Sequence, residues 1–352
     1  GCVMDRIDKI LRDIDRGGQG IEIGASVSPV APKRDGFNIE IIDHLDRDGL
    51  LNKYGADLED TSIIEEVDYV WRGEDYATLV GVRHCYDYVI ASHVIEHVPD
   101  MIKFINDCSA LLKDDGVLSL VIPDKRACFD YFRPITSLSE FIDRHDHEIK
   151  RPGSGPIAEF FLNFSTNNGQ GAWSLDAVGD IATTHSVTEA VSLWREKIES
   201  EDYFDVHASC FVPHSFRLLI NDLNALGLID LKELSFFPTV GCEFYVSLSR
   251  NGAGAKKSRT QLLLEVNSEL ASKDATVCSA GAGGNNSEDR RPLIYRWLDS
   301  MGRYVEFDNH YYLENNLDVK EAVARGEFTD GRHHYRLFGR AEGRKPCADP
   351  RF

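Results

Sequence analysis

The sequence predicts an α/β fold: a doubly wound, mostly parallel sheet of seven strands, with a long insertion and a small C-terminal helical module. Short apolar runs alternate with stretches of helical spacing between residues 21 and 122. Two further runs, near residues 229 and 243, are close enough to form an antiparallel pair at a sheet edge. Polar or glycine-bearing turns follow the first, second and fourth runs, at the strand ends where open parallel sheets bind ligands.

The elements follow in order. Ile7, Ile10, Leu11 and Ile14 share one face and predict a helix over 4–16, ended by Gly17-Gly18. The first five strands are expected at Ile21–Ile23, Asn38–Ile42, Val67–Trp71, Tyr88–Ala91 and Val117–Ile122. Between the last two, Met101, Phe104, Ile105, Cys108, Leu111 and Leu112 repeat at helical spacing from about Pro99. Lys113-Asp114-Asp115-Gly116 turns the chain back. Residues 124–212 break the rhythm and are rich in aromatic residues, His and Gly. A helix resumes at Pro213–Leu226, and Ile229–Phe236 and Glu243–Leu248 complete the seven strands through a turn at Pro238 and Gly241. Gln261–Ser272 has helical character, and 273–291 is a Gly/Ser/Asn linker expected to be disordered. The expected organisation is a main domain over 1–250 with an insertion at 124–212, a linker over 251–291 and a helical module over 292–352.

A chain of 352 residues accommodates one large domain and something smaller. No stretch approaches the roughly 20 apolar residues that span a membrane. The start runs directly into a charged amphipathic helix, which reads as no secretory leader, with Met4 as the natural first residue. The net charge of −19 would repel a phosphate backbone, so nucleic acid is not the expected partner. The eight cysteines are scattered without a Cys-x-x-Cys pair, which argues against structural zinc and fits a reducing cytoplasm.

Two features point to a nucleoside ligand. Glu22-Ile23-Gly24-Ala25-Ser26 closes the first strand, and Gly24 permits a sharp turn and close approach to the backbone. Asp43 closes the second strand, where a carboxylate can accept both ribose hydroxyls. A dinucleotide enzyme would need Gly-x-Gly-x-x-Gly at 24–29, and this chain has Gly-Ala-Ser-Val-Ser-Pro. Pro29 and Pro32 keep the segment extended, so a ligand without phosphates fits better.

The most informative stretch is 86–98, Tyr-Asp-Tyr-Val-Ile-Ala-Ser-His-Val-Ile-Glu-His-Val. With the Glu22–Ser26 turn, it resembles the class I S-adenosylmethionine-dependent methyltransferases, whose fold is Rossmann-like with a seven-stranded sheet and a terminal hairpin. Their first motif is Glu-x-Gly-x-Gly-x-Gly; Glu22 and Gly24 match, while Ser26 and Ser28 replace later glycines. The resemblance covers about 18–125 by motif and 1–250 by architecture. It implies S-adenosylmethionine as cofactor. Glu22, Gly24, Ala25 and Ser26 would lie at its methionine part, Asp43 at the ribose, Gly73, Glu74 and Asp75 near the adenine, and Ser92 and His93 beside the methionine moiety. His93 and His97 also have the i, i+4 spacing of metal ligands, but the resemblance implies that the second packs structurally, and no metal is assigned.

Methyl transfer to a hydroxyl requires alignment, exclusion of water and removal of a proton. The 124–212 insertion leaves the fifth strand on the ligand side and is expected to form a helical lid over the acceptor. Histidine suits proton removal near neutral pH. His207, with Asp205 to orient it, is the leading candidate base; His145, His185 and Asp124 follow. A Mg²⁺ site from Asp124, His145 or Asp146 is the weaker alternative. Ile-Pro-Asp-Lys-Arg at 122–126, Asp-Val-His at 205–207 and Phe211-Val-Pro-His-Ser-Phe-Arg resemble a bacterial methyltransferase subgroup of surface polysaccharide biosynthesis. That resemblance implies a sugar hydroxyl of a glycan or its precursor as acceptor. Another small metabolite or a lipid, and an inactive scaffold, are the alternatives.

In the tail, helices ending at Gly326 and Gly339 are similar to a module appended to bacterial glycosyltransferases and related envelope enzymes. Docking of a polysaccharide-assembly partner or glycan and a passive helical cap stand as equal expectations.

Overall fold

The computed structural model describes residues 4–55, 58, 60–200, 204–271, 309–326, 328, 330–335, 339, 344 and 345. The chain forms two compact units, divided between Tyr295 and Arg296. The first unit contains α1 (Arg6–Ile10), β1 (Gln19–Ile23), β2 (Asn38–Asp43), α2 (Arg47–Tyr54), β3 (Tyr69–Val70), α3 (Tyr76–Val80), β4 (Tyr86–Ser92), α4 (Met101–Leu111) and β5 (Leu112–Pro123). It continues with α5 (Leu138–Asp146), α6 (Ser154–Asn163), β6 (Ser165–Asn167), β7 (Ile181–Thr183), α7 (Val187–Glu199), α8 (Pro213–Ala225), β8 (Lys232–Val240), β9 (Glu243–Ser249) and α9 (Arg259–Ala271).

The main sheet has the order β3-β2-β1-β4-β5-β9-β8. The first five strands run parallel, and β9 is antiparallel to both β5 and β8. This is the expected seven-stranded α/β sheet with an antiparallel edge. Strand order reverses between β1 and β4, which opens a crevice at their carboxyl ends.

Successive residues of each strand serve opposite layers. On one face, Val89, Ala91, Leu118 and Leu120 pack with Met101, Phe104, Ile105 and Cys108 of α4 and with Phe216, Leu219 and Leu223 of α8. On the other, Tyr88, Ile90 and Val121 meet Ile10, Leu11 and Ile14. Burial of β4 on both faces explains its continuous apolar run. Asp100 caps α4 by accepting from Lys103 N at 2.9 Å.

Some boundaries differ from expectation. The N-terminal helix is only Arg6–Ile10; its Leu11 and Ile14 stay packed from a turn instead of a longer helix. The third strand shrinks to Tyr69–Val70. Pro238 lies within β8 at an irregular register, and the turn uses Gly241, whose φ is +67°. The expected linker over 273–291 lies outside the described residues.

The insertion carries α5, α6, the β6–β7 ladder and α7. Its ends are tied together where Lys125 N donates to Phe211 O at 2.9 Å. Its return is tied to the β4 turn where Ser209 N donates to Glu96 O at 3.0 Å. Among the described residues, no helix is long and apolar enough to cross a membrane.

The second unit contains α10 (Asn309–Asn315), α11 (Leu317–Ala324) and α12 (Gly331–His334). Tyr312, Val319 and Ala322 form its interior. The helix expected before Gly326 is broken at Asn316, whose side chain donates to Tyr312 O at 2.8 Å.

Candidate functional site

Two adjacent strand ends hold unusual backbone. β1 and β4 run parallel, with Ile23 beside Ala91. Immediately beyond them, Gly24, Ser26 and His93 adopt φ of +68°, +43° and +55°. A Cβ on Gly24 would lie 2.8 Å from Val94 Cγ2, so the crossing of the two turns requires glycine there. Left-handed non-glycine residues cost about 1–3 kcal/mol each and gather at ligand sites.

The carboxylates of this edge anchor the loops. Glu22 is buried, and its oxygens accept from Val30 N at 2.7 Å and Ala31 N at 3.1 Å. Burial pushes its carboxyl up to about 7, against the pull of those two N–H groups. Asp43 is also buried; Oδ2 accepts from Ser26 N at 2.9 Å and Oδ1 from His44 N at 2.7 Å. Asp43 therefore ties the β2 end to the β1 turn. Burial, followed by the charges of Asp205 and Asp43, raises the pKa of the Tyr54 hydroxyl. Tyr54 and Lys53 thus sense carboxylates on both sides of the crevice.

Ser92 and His93 join a buried network on the other side. Arg6 Nη2 donates to Ser92 Oγ at 3.1 Å, and Arg6 Nε to Glu243 Oε1 at 2.6 Å. His93 Nε2 lies 2.6 Å from Glu243 Oε2. Burial would raise the Glu243 carboxyl, but His93 and Arg6 hold it at about 2. Gly73, Glu74 and Asp75 form the turn after β3. Gly73 has φ +108° with open space where a Cβ would stand. Glu74 accepts from Arg72 N at 2.8 Å, and Asp75 pairs with Lys103 of α4.

The turns after β1, β2 and β3 lie along one sheet edge, and carboxylates flank it. That set suits a ribose-bearing ligand carrying positive charge, as an adenosyl sulfonium does.

The densest group of titratable side chains follows β4. Glu96, His97 and His207 bring one carboxylate oxygen and two imidazole nitrogens within 4.8 Å of one another. Glu96 Oε1 lies 3.7 Å from His97 Nε2 and 3.8 Å from His207 Nε2. The two rings meet edge to face at 4.7 Å. Each imidazole turns its other nitrogen to a carboxylate. His207 Nδ1 lies 2.5 Å from Asp130 Oδ2, and His97 Nδ1 2.8 Å from Asp205 Oδ1. Asp130 is itself paired with Arg133 at 2.9 Å, and Arg133 donates to His207 O at 2.8 Å. Burial would depress the His97 imidazole, yet Asp205, Glu96 and Asp130 push it up to about 9. Burial would likewise raise Asp130, but His207 and Arg133 draw it well below the usual carboxylate range. The group favours positive charge.

His207 therefore occupies a buried position at the carboxyl edge, and the expectation about its partner is corrected. Asp205 serves His97, whereas Asp130, 77 residues from His207 in sequence, orients His207. The insertion returns so that Phe129 packs on the His207 ring at 4.6 Å, which brings Asp130 alongside. Sequence reasoning missed Asp130 and gave Glu96 no role, although Glu96 stood in the quoted motif. The pattern Cys128-Phe129-Asp130-Tyr131-Phe132-Arg133, an acid and a base at i, i+3 among aromatic residues, was the available signal.

The other candidates lie elsewhere. Asp124 is fully buried, bound by Arg126 Nη2 at 2.6 Å and by Thr239 Oγ1 at 2.6 Å, which makes it a structural anchor instead of a proton acceptor. His145 Nδ1 lies 3.0 Å from Asp100 Oδ2, at the start of α4. His185 sits between the Phe161 and Phe164 rings, 3.8 Å from Glu189. Neither joins the Glu96 group.

Residues 3–160 match a family described as a methyltransferase domain. No curated protein matches the chain. Among solved structures, the SAM-dependent methyltransferase of Aquifex aeolicus is 9% identical, with 70% of this chain and 89% of that one covered and a TM-score of 0.34. The CcbJ methyltransferase of Streptomyces caelestis is 12% identical, with 68% and 86% covered and a TM-score of 0.35. A Rhodobacter sphaeroides protein described among the Zn-dependent alcohol dehydrogenases is 16% identical, with 70% and 88% covered and a TM-score of 0.37. Likenesses this distant carry no argument about substrate.

Proposed function

We propose that this S-adenosylmethionine-dependent methyltransferase methylates a hydroxyl oxygen, that of a sugar in a bacterial surface glycan or its precursor. The observation that carries the hydroxyl is the convergence of buried Glu96 and His207 with half-buried His97 at the strand edge beside Ser92 and His93. A hydroxyl is a weak nucleophile until its proton departs, and a positioned imidazole assists that loss. The sugar is supported by the resemblance of residues 122–126 and 205–217 to methyltransferases of polysaccharide biosynthesis.

S-adenosylmethionine supplies a methyl group bonded to a sulfonium, and transfer leaves a neutral thioether. Asp43 fixes the loop that would face the ribose, through Ser26 N. Ser26 itself, Gly24 and Ala25 line the turn that would meet the methionine part, and Gly73–Asp75 lie where the adenine would end. The acceptor hydroxyl would be received beside the Glu96, His97 and His207 group. With the cofactor bound, its methyl would pass to the acceptor oxygen as the S–CH₃ bond breaks, and the hydroxyl proton would go to His207 Nε2, the ring being fixed by Nδ1 on Asp130. Phe129, packed on Phe160, Phe164 and the His207 ring, sets an apolar wall beside the group that would limit access of water.

The test is His207→Ala. Turnover with a glycan-derived polyol should fall by about 10²-fold or more while the affinity for S-adenosylhomocysteine stays within about twofold. Turnover at the wild-type rate would remove His207 from the reaction. A mass increase confined to acceptors without hydroxyl groups would overturn the hydroxyl itself.

A further inference from the structure

We propose that Glu96, His97 and His207 form a binding site for one divalent cation of the Zn²⁺, Mn²⁺ or Co²⁺ type, and that this cation receives the acceptor hydroxyl. The second clause rests on the preceding reading of the pocket; the first does not.

The argument begins with Glu96. It is wholly buried, and among the described residues neither of its carboxylate oxygens has a hydrogen-bond partner. The same holds for His97 Nε2. A buried carboxylate without hydrogen bonds, facing imidazoles only at ion-pair distances of 3.5 to 3.8 Å, is costly unless something else satisfies it. Glu96 Oε1 faces His93 Nδ1 at 3.5 Å, in the turn after β4, and beyond it the Nε2 atoms of His97 and His207. Their separations of 3.7 and 3.8 Å from Glu96 Oε1 are too long for hydrogen bonds. They are close to the roughly 3.4 Å between two ligands of a tetrahedral ion with bonds near 2.1 Å. The third pair, the two imidazole nitrogens, lies within 4.8 Å, and drawing the rings together toward the same spacing would close the set.

The surroundings complete the pattern. Metal-bound imidazoles hold their second nitrogen on a carboxylate, which fixes the ring and makes the free nitrogen a better ligand. His207 does this on Asp130 at 2.5 Å, and His97 Nδ1 stands 2.8 Å from Asp205 as an ion pair. Two nitrogens and one oxygen select a borderline cation over Mg²⁺ or Ca²⁺, which prefer oxygen. Three protein ligands leave a position for an exchangeable oxygen, the arrangement of reactive sites instead of closed structural ones. An acceptor hydroxyl in that position would become more acidic and pass its proton to Glu96 Oε2, with His207 serving as a ligand of the ion in place of a direct proton acceptor.

The experiment uses the full chain, stripped with chelator and titrated with Co²⁺ and then Zn²⁺. One equivalent should bind, and Co²⁺ should develop visible absorption bands of a low-coordinate nitrogen and oxygen site. His97→Ala and Glu96→Gln should each weaken Zn²⁺ binding by about 100-fold or more. Asp130→Asn should weaken it by about 10- to 100-fold. His147→Ala, an exposed histidine elsewhere, should leave it unchanged. Affinity for S-adenosylhomocysteine should stay within about twofold in every folded variant. If a variant fails to fold, the wild-type Co²⁺ spectrum decides: an octahedral aquo-like spectrum, or no binding, overturns the site. Retention of one equivalent in both His97→Ala and Glu96→Gln also overturns it. If the cation binds as stated but no hydroxyl acceptor is methylated, the cation site stands and the hydroxyl reading falls.

Discussion

Glu22 and Asp43 end neighbouring strands, and both direct their oxygens to backbone N–H groups of the loops beyond. Each should therefore act on stability as well as on ligand binding. Asp43→Ala strips acceptors from two amides, and a buried unpaired amide costs about 1–3 kcal/mol. The melting temperature of the cofactor-free protein should fall, and cofactor affinity should drop with it. An unchanged melting temperature with lost affinity would instead assign Asp43 to the ribose alone. Glu22 carries a pH signature. Its folded value of about 7 lies above the ordinary 4.5. Between those values the unfolded chain has released the proton and the folded chain has kept it. Stability therefore falls as pH rises from about 4.5 to about 7, by about 3 kcal/mol at most, and then levels. Melting curves of wild type and Glu22→Gln between pH 5 and 8 should diverge across that window; parallel curves would show that Glu22 does not titrate there.

At the scale of elements, the pairing of β1 with β4 sets the crevice. Gly20 lies opposite Tyr88, and a Cβ on it would stand 2.0 Å from the Tyr88 ring. Gly20→Ala should destabilise the sheet by about 1–3 kcal/mol through overpacking, read as a lower melting temperature. Tyr88→Leu in the same chain should restore part of the loss; no change in the single variant would mean that the two strands are spaced more widely. The strands themselves were legible because each is a local run: β4 is apolar on both faces, and α4 repeats its apolar residues at helical spacing. The N-terminal helix was overextended for the opposite reason. Leu11 and Ile14 bury themselves whether the chain is helix or turn, so periodicity could not mark the end.

Across the whole molecule, the first unit contains every candidate cofactor and acceptor residue, and the second unit contains none of them. A chain ending at Ala271 should keep S-adenosylhomocysteine affinity within about twofold by calorimetry. Loss of binding would show that the C-terminal unit contributes to the crevice or to the fold around it. The insertion matters differently. Its two ends are tied to each other and to the β4 turn, so it delivers Asp130, Arg133 and His207 to a place fixed by the sheet. The carboxylate-rich pocket that results is a property of this return path.

The sequence by itself determined the strands, the main helices and the turn motifs after β1 and β4. Those depend on side chains a few residues apart, whose spacing is written in the chain. It also singled out His207 and quoted Glu96 and His97 in one short string. Only the tertiary structure decided that these three converge, that Asp130 and not Asp205 holds His207, and that Asp124 is locked by Arg126. The reason is physical. A carboxylate near in sequence and one 77 residues away are equally able to orient an imidazole, and the choice falls to whichever the packed backbone brings within 3 Å.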